Sequence, residues 1–204
     1  MPKNKVHDLI EDSYEFDYME DAQITRVGLT LGAMAQVAGI ILISQEQVAA
    51  IASAMDIQVD RDLSKISGNN FCLQLTGGKY EIILMVTIDR SSDEVIVVPF
   101  SNNTADNKYA PYDLYLRLEG FSKKDFQLAI MAINPLAEGE NIHQAAYDHA
   151  TSLSAVLTAI LTAMATKPYH IDLSQEDLFK LNKKRLKRNR PLMTPDAQLI
   201  IEGV

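Results

Sequence analysis

The sequence predicts an α+β fold: a four-stranded antiparallel meander packed against two long apolar helices, with a charged arm at each end. Three observations carry this expectation. Alternating, β-branched stretches separated by short turn signals run from Asn70 to Gly120. Two runs on either side of them, Val27–Ile43 and Ala150–Thr166, hold no charged residue over 17 positions each. The charges gather instead at the two ends, with opposite sign.

Composition sets the frame. A chain of 204 residues that is 47% hydrophobic has enough material for one core with arms attached. The division expected is an acidic arm over 1–21, a core over 22–173 and a basic helix with its tail over 174–204. A single cysteine, Cys72, excludes an intrachain disulfide and suits a reducing, cytoplasmic setting. The opening "MPKNKVHDLIEDSYEF" has no apolar stretch ahead of its acids, so no secretory leader is expected. The two charge-free runs sit at the floor of membrane-spanning length. Gln36 interrupts the first and Ser and Thr crowd the second, so both read as buried helices and no membrane partner is expected.

The elements follow in order. "SYEFDYMED" alternates Tyr14, Phe16 and Tyr18 with Glu15 and Asp17, a period of two that suits a strand with one apolar face. Residues 22–43 have helical character, with Gly28, Gly32, Ala35 and Gly39 on one side for close helix packing. Ser44 with Gln47 three residues on forms a capping box that starts a short helix to about Met55. After a polar connection, "NFCLQL" and "KYEIILMVTID" flank Thr76-Gly77-Gly78, a hairpin signal. "RSSD" turns the chain into "EVIVVPF", and the eleven-residue loop 101–111 leads to a fourth strand, "YDLYLRLEG". Ser122 caps an expected helix to about Asn134, and Pro135 stops it. A long helix follows from about Ile142 to Thr166, ended by Pro168. Ser174 caps a last helix with Gln175, Glu176 and Asp177 in its first turn and cations toward its end, as the helix dipole favours. A short strand is expected at Gln198–Ile201.

Signatures of catalysis are sparse. "LTGGK" has phosphate-loop residues but lies between two strands, where no helix N-terminus can meet a phosphate. His143 and His149 are six apart, on different faces of one helix, and one cysteine leaves too few ligands for a thiolate zinc site. No metal and no cofactor is therefore assigned, and no catalytic residue. Cys72 reads as a small buried strand residue rather than a nucleophile. The loop 101–112, with Tyr109 and Tyr112 around Pro111, is the place where an enzyme's or binder's site would gather if there were one.

The strongest feature is electrical. Residues 8–21 hold Asp8, Glu11, Asp12, Glu15, Asp17, Glu20 and Asp21 with no cation, a charge of -7. Residues 180–190 hold Lys180, Lys183, Lys184, Arg185, Lys187, Arg188 and Arg190 with no acid, a charge of +7. A solvated helix face ordinarily mixes signs, so this run expects a counter-charge. The leading expectation is a non-enzymatic interaction or assembly protein, a homo-oligomer or a partner-protein binder. Its contacts are the basic run and the acidic arm around Asp12, Tyr14, Glu15, Phe16, Asp17 and Tyr18. The alternative is nucleic-acid binding by residues 180–190, opposed by the net charge of -13 on residues 1–179. An enzyme with a site near residues 101–112 is the third class.

Overall fold

The computed structural model describes residues 40–77, 80–103, 108–111, 114–132, 143–173, 175–188 and 197–203. Its frame is a mixed sheet of eight strands in line, not an antiparallel meander of four. In chain order the strands are β1 (Ile40–Ser44), β2 (Asn70–Thr76), β3 (Tyr80–Asp89), β4 (Glu94–Asn103), β5 (Lys108–Pro111), β6 (Leu114–Glu119), β7 (Gln127–Ala132), β8 (Tyr169–Leu173) and β9 (Ala197–Ile201). The line across the sheet is β7-β6-β4-β3-β2-β1-β9-β8, with β5 paired to β4 off that path. Among the described residues three α-helices accompany it: α1 (Gln45–Ala54), α2 (Gln144–Thr166) and α3 (Gln175–Leu186). Among the described residues only α2 is long, so the expectation of two long apolar helices is corrected together with the strand count; residues 22–39 of the first expected helix lie outside the described residues.

The expected meander is present as the middle of this larger sheet. β2, β3, β4 and β6 pair antiparallel in succession, from Cys72↔Met85 through Met85↔Val98 to Val97↔Leu116. The turns are those the sequence predicts. Gly77 stands at φ 94° at the first, in the region where a side chain is strained. At the second, Asp89 accepts hydrogen bonds from the backbone of Ser91 and Ser92 and from the Ser91 hydroxyl, which hold its carboxyl down at about 2. The expected loop 101–111 is mostly strand. β4 runs on to Asn103 and β5 returns along it, Asn103↔Lys108 to Phe100↔Pro111. Pro99 falls where β4 changes partner from β6 to β5, a break in the ladder that tolerates a missing donor.

Besides β5, four strands lie outside the expected meander. β1 takes the last four residues of the first charge-free run, together with Ser44. Ile40, Ile41, Leu42 and Ile43 form a strand because they pair in parallel with β2 on one side and β9 on the other. A central strand buried on both faces reads as a continuous apolar run, which periodicity does not separate from a buried helix. Ser44 then caps α1 as expected: its hydroxyl accepts from the Gln47 backbone at 3.2 Å and the Gln47 side chain accepts from the Ser44 backbone at 2.9 Å. β7 replaces the helix expected after Ser122. The Ser122 backbone and hydroxyl donate to Asp93 at 2.8 and 2.6 Å, so the capping side chain fastens two turns together instead. The following residues pair along β6 from Glu119↔Gln127 to Leu114↔Ala132. β8 and β9 pair antiparallel, and β9 takes up the short strand expected near the C-terminus. Because β9 lies between β1 and β8, α3 is a connection held at both ends by the sheet.

One face of the sheet meets α1 and α2. Ile41, Ile43, Leu73, Leu84, Val86, Val97 and Leu116 join Leu153, Leu157, Ile160, Leu161 and Met164 of α2 in a single core. The alternate residues, among them Ile40, Cys72, Ile83, Met85, Val98 and Phe100, are buried as fully on the opposite face. α2 is long and apolar enough to cross a membrane by length and composition, and 67% of its apolar window is buried inside the protein.

Candidate interaction surface

α3 enters from β8 and returns through β9, and it makes no extensive contact with any other described helix or strand. Its cations are where the sequence places them. Lys180, Lys183, Lys184, Lys187 and Arg188 are exposed. Arg185 lies within the helix, and Arg190 is outside the described residues, as is the expected cap Ser174. Among the described residues Arg117 pairs with Glu94 and Glu119, and no ion pair between described residues involves Lys183, Lys184, Lys187 or Arg188.

Two large apolar side chains stand among these cations. Phe179 is 71% exposed and Leu186 is 63% exposed, the most exposed large hydrophobics described. They are seven residues apart, so they share a helix face, with Lys183 between them. Phe179, one residue ahead of Lys180, carried a readable signal: an aromatic beside a cationic run.

The remaining expected site residues are not brought together with this surface. Asp12, Tyr14, Glu15, Phe16, Asp17 and Tyr18 lie outside the described residues, and so does Tyr112. Tyr109 is in β5, paired with Asn102. Cys72 is completely buried, and burial pushes its thiol up to about 12, so it stays protonated and is a poor nucleophile. His143 caps α2, its Nδ1 accepting from the Ala145 backbone at 3.2 Å, while His149 and His170 are exposed. Among the described residues no three of His, Cys, Asp or Glu come together as a metal site.

Two grooves are formed by described residues. One, of about 290 Å³, lies between α1 and β9 and is lined by Glu46, Gln47, Ala50, Ile51 and residues 199–201. The other, of about 390 Å³, lies at the C-terminal end of α2 beside Lys65, Lys167 and Tyr169. Neither contains Cys72, a histidine or the 101–112 segment.

A buried cation that the sequence did not mark provides the contrast with α3. Arg61 is 3% exposed. Its Nε donates to the Thr162 hydroxyl at 2.7 Å, its Nη1 to the carbonyls of Phe121 and Lys123 at 3.0 and 2.7 Å, and its Nη2 to the Ile57 carbonyl at 2.5 Å. The guanidinium lies over the rings of Phe121 and Phe126 at 4.7 and 5.1 Å. Burial lowers its pKa, with Asp60 and Asp93 acting in the opposite direction. Every bond holds another part of the fold, so this arginine is structural. In sequence it sits in a polar connection between Asp60 and Asp62, where an exposed residue is the ordinary expectation.

The chain matches no known protein family, no curated protein and no solved structure with which it was compared.

Proposed function

We propose that this chain is a non-enzymatic interaction protein that captures an acidic partner segment on α3, and that it assembles through the opposite charges near its two ends. One observation supports this above the others: α3 holds Lys183, Lys184, Lys187 and Arg188 exposed beside two exposed apolar side chains, with no ion pair to these cations among the described residues. An isolated helix this short is marginal in water, and its cations repel one another. A surface of this kind gains most by meeting an anion. The residues 8–21 of a neighbouring copy, at -7, are a counter-charge of the same size.

The test is mass by light scattering at low and high salt. The wild-type chain associates at low salt and dissociates as salt rises. The combined change of Lys183, Lys184, Lys187 and Arg188 to Glu abolishes that association. A wild-type chain that is monomeric in both conditions, and binds no acidic peptide, overturns the proposal.

A second reading, nucleic-acid binding, is supported by Phe179, which is exposed beside the cations of α3 as a base-stacking aromatic would be. A gel-shift assay with single-stranded and double-stranded nucleic acid tests it, with the same four substitutions. Absence of a shift at low salt removes it.

A further inference from the structure

We infer that β7 is a self-association edge: residues 127–131 pair antiparallel with the same residues of a second copy, about a two-fold axis at Ala129, and join the two sheets into one. The inference stands apart from the capture proposed on α3 and uses none of its residues.

The two ends of the sheet are built differently. β7 and β8 close the line of strands. An edge strand presents a row of backbone N–H and C=O groups to any further strand, and charged side chains or proline on the edge oppose that pairing. β8 carries such residues: Pro168 stands just before it, and His170 and Asp172 are exposed along it. β7 carries none. Residues 127–131 are Gln-Leu-Ala-Ile-Met, without charge, proline or glycine. They pair with β6 position by position, with no bulge to turn the edge away. Among the described strands β7 pairs with β6 alone.

Both faces beside this edge are open. Leu128 and Ile130 lie opposite Leu118 and Leu116, on the face that meets α2, and Gln127, Ala129 and Met131 lie on the other face. Leu128 is 37% exposed on the first face and Met131 is 38% exposed on the second. A further strand therefore has room on each side of the sheet plane.

The second copy is the occupant because β7 is its own complement. A two-fold axis that makes two copies of one strand antiparallel neighbours stands perpendicular to the sheet, so like faces fall on the same side. Residues that face each other then have numbers of the same parity. With Ala129 on the axis, Leu128 of each copy meets Ile130 of the other on the α2 face, and Gln127 meets Met131 on the opposite face. The apolar pairs come within about 4.5–5.5 Å between Cβ atoms. The smallest of the five side chains lies at the axis, and no like charges face each other. Five residues a side are fewer than the roughly 20–30 of a standard interface, so the dimer is weak and forms as concentration rises.

The test uses the full chain in high salt, which screens the contacts proposed for α3, and a second chain with Lys183, Lys184, Lys187 and Arg188 changed to Ser. Sedimentation equilibrium shows a monomer–dimer equilibrium in both. Ala129→Glu places a carboxylate beside Arg117, its neighbour on β6, so the monomer tolerates it. Across the axis two carboxylates meet, and dimerisation weakens about tenfold or more. Ala129→Cys reads the register. Facing Cα atoms lie about 4.5–5.5 Å apart, within the roughly 4.4–6.8 Å that a disulfide spans, so mild oxidation links two copies. Gln127→Cys, on the same face but not opposite itself, links far more slowly, and Cys72 is completely buried. Should Ala129→Glu unfold the chain, the cysteine pair alone decides. A chain that is monomeric at every concentration in high salt overturns the inference and leaves the capture on α3 standing. A dimer that a folded Ala129→Glu chain keeps at full strength, or equal linking at 127 and 129, overturns it as well. A dimer with the expected register, in a wild-type chain that gains no further association at low salt, upholds the β7 pairing and removes assembly through α3.

Discussion

α2 and α3 follow one another in the chain, separated by a single strand, and they are built on opposite rules. α2 puts Leu157, Ile160, Leu161 and Met164 into the core and holds no charged residue after Asp148. α3 displays cations, and it leaves an aromatic and a leucine in solvent. The same contrast holds for single charges. Arg61, packed against α2 through Thr162, has four hydrogen bonds and two aromatic rings around it. Lys183, Lys184, Lys187 and Arg188 on α3 are exposed, and no ion pair between described residues involves them. Where a side chain is satisfied inside the molecule, its role is exhausted by the fold.

The largest expected effect breaks this comparison at its charged residues. Arg61→Met removes a buried cation and leaves three carbonyls and a hydroxyl without their donor, a loss of about 3–5 kcal/mol by analogy with broken buried charge networks. Lys183→Ser with Lys187→Ser on α3 stays within about 0.5 kcal/mol, as surface changes do. Urea unfolding measures both. An Arg61→Met protein as stable as wild type would mean that the clasp between residues 57, 121, 123 and α2 is not what holds those loops. The apolar pair comes next. Leu157→Ala opens a cavity in the core and costs about 2–5 kcal/mol. Leu186→Ala, on a side chain 63% exposed, leaves the midpoint where it was.

This contrast also marks what was legible in the sequence. Local signals were read correctly. The Ser44–Gln47 capping box, the Gly77 turn, the Asp89 turn and the extent of α2 all depend on residues a few positions apart. Pairings over long range were not legible. Ile40–Ser44 becomes a strand because residues 72–76 and 197–198 arrive beside it. The Ser122 cap signal is diverted because Asp93, 29 residues away, accepts its hydroxyl proton. Arg61 is buried because Thr162, 101 residues away, completes its shell. The candidate surface was half legible. Its charge is local and was found, whereas the exposure of Phe179 depends on which neighbours fail to cover it.

Cys72 sharpens the same boundary through pH. Burial raises its thiol from 9.0 to about 12, so the folded state favours the neutral form. The sign follows directly: this contribution to stability is intact below 9.0 and is lost as the pH rises toward 12, at up to about 1.4 kcal/mol per unit. Urea midpoints should fall across that window and recover part of the loss in Cys72→Ala, measured against its own value at neutral pH. Alkylation at pH 8 provides the companion measurement. Cys72 reacts only as the chain unfolds, while a cysteine introduced by Lys184→Cys on α3 reacts at once.

The smallest effect concerns how each helix begins. α3 carries Glu176 and Asp177 in its first turn, where negative charge suits the helix dipole. α2 has no acid in its first turn and is capped by His143, whose Nδ1 accepts a single backbone hydrogen bond. His143→Asp keeps an acceptor at that position and adds a negative charge at the positive end of the helix, a gain of about 0.5–1 kcal/mol. The gain is local, because α2 is exposed over its first turn and buried only from Ala150 onward. It should therefore appear as slower hydrogen exchange at Ala145, Ala146 and Tyr147, with the amides of Leu157–Met164 unchanged. If exchange slows equally along the whole helix, α2 opens as one unit, and its exposed first turn belongs energetically to the core rather than to the solvent-facing class that α3 represents.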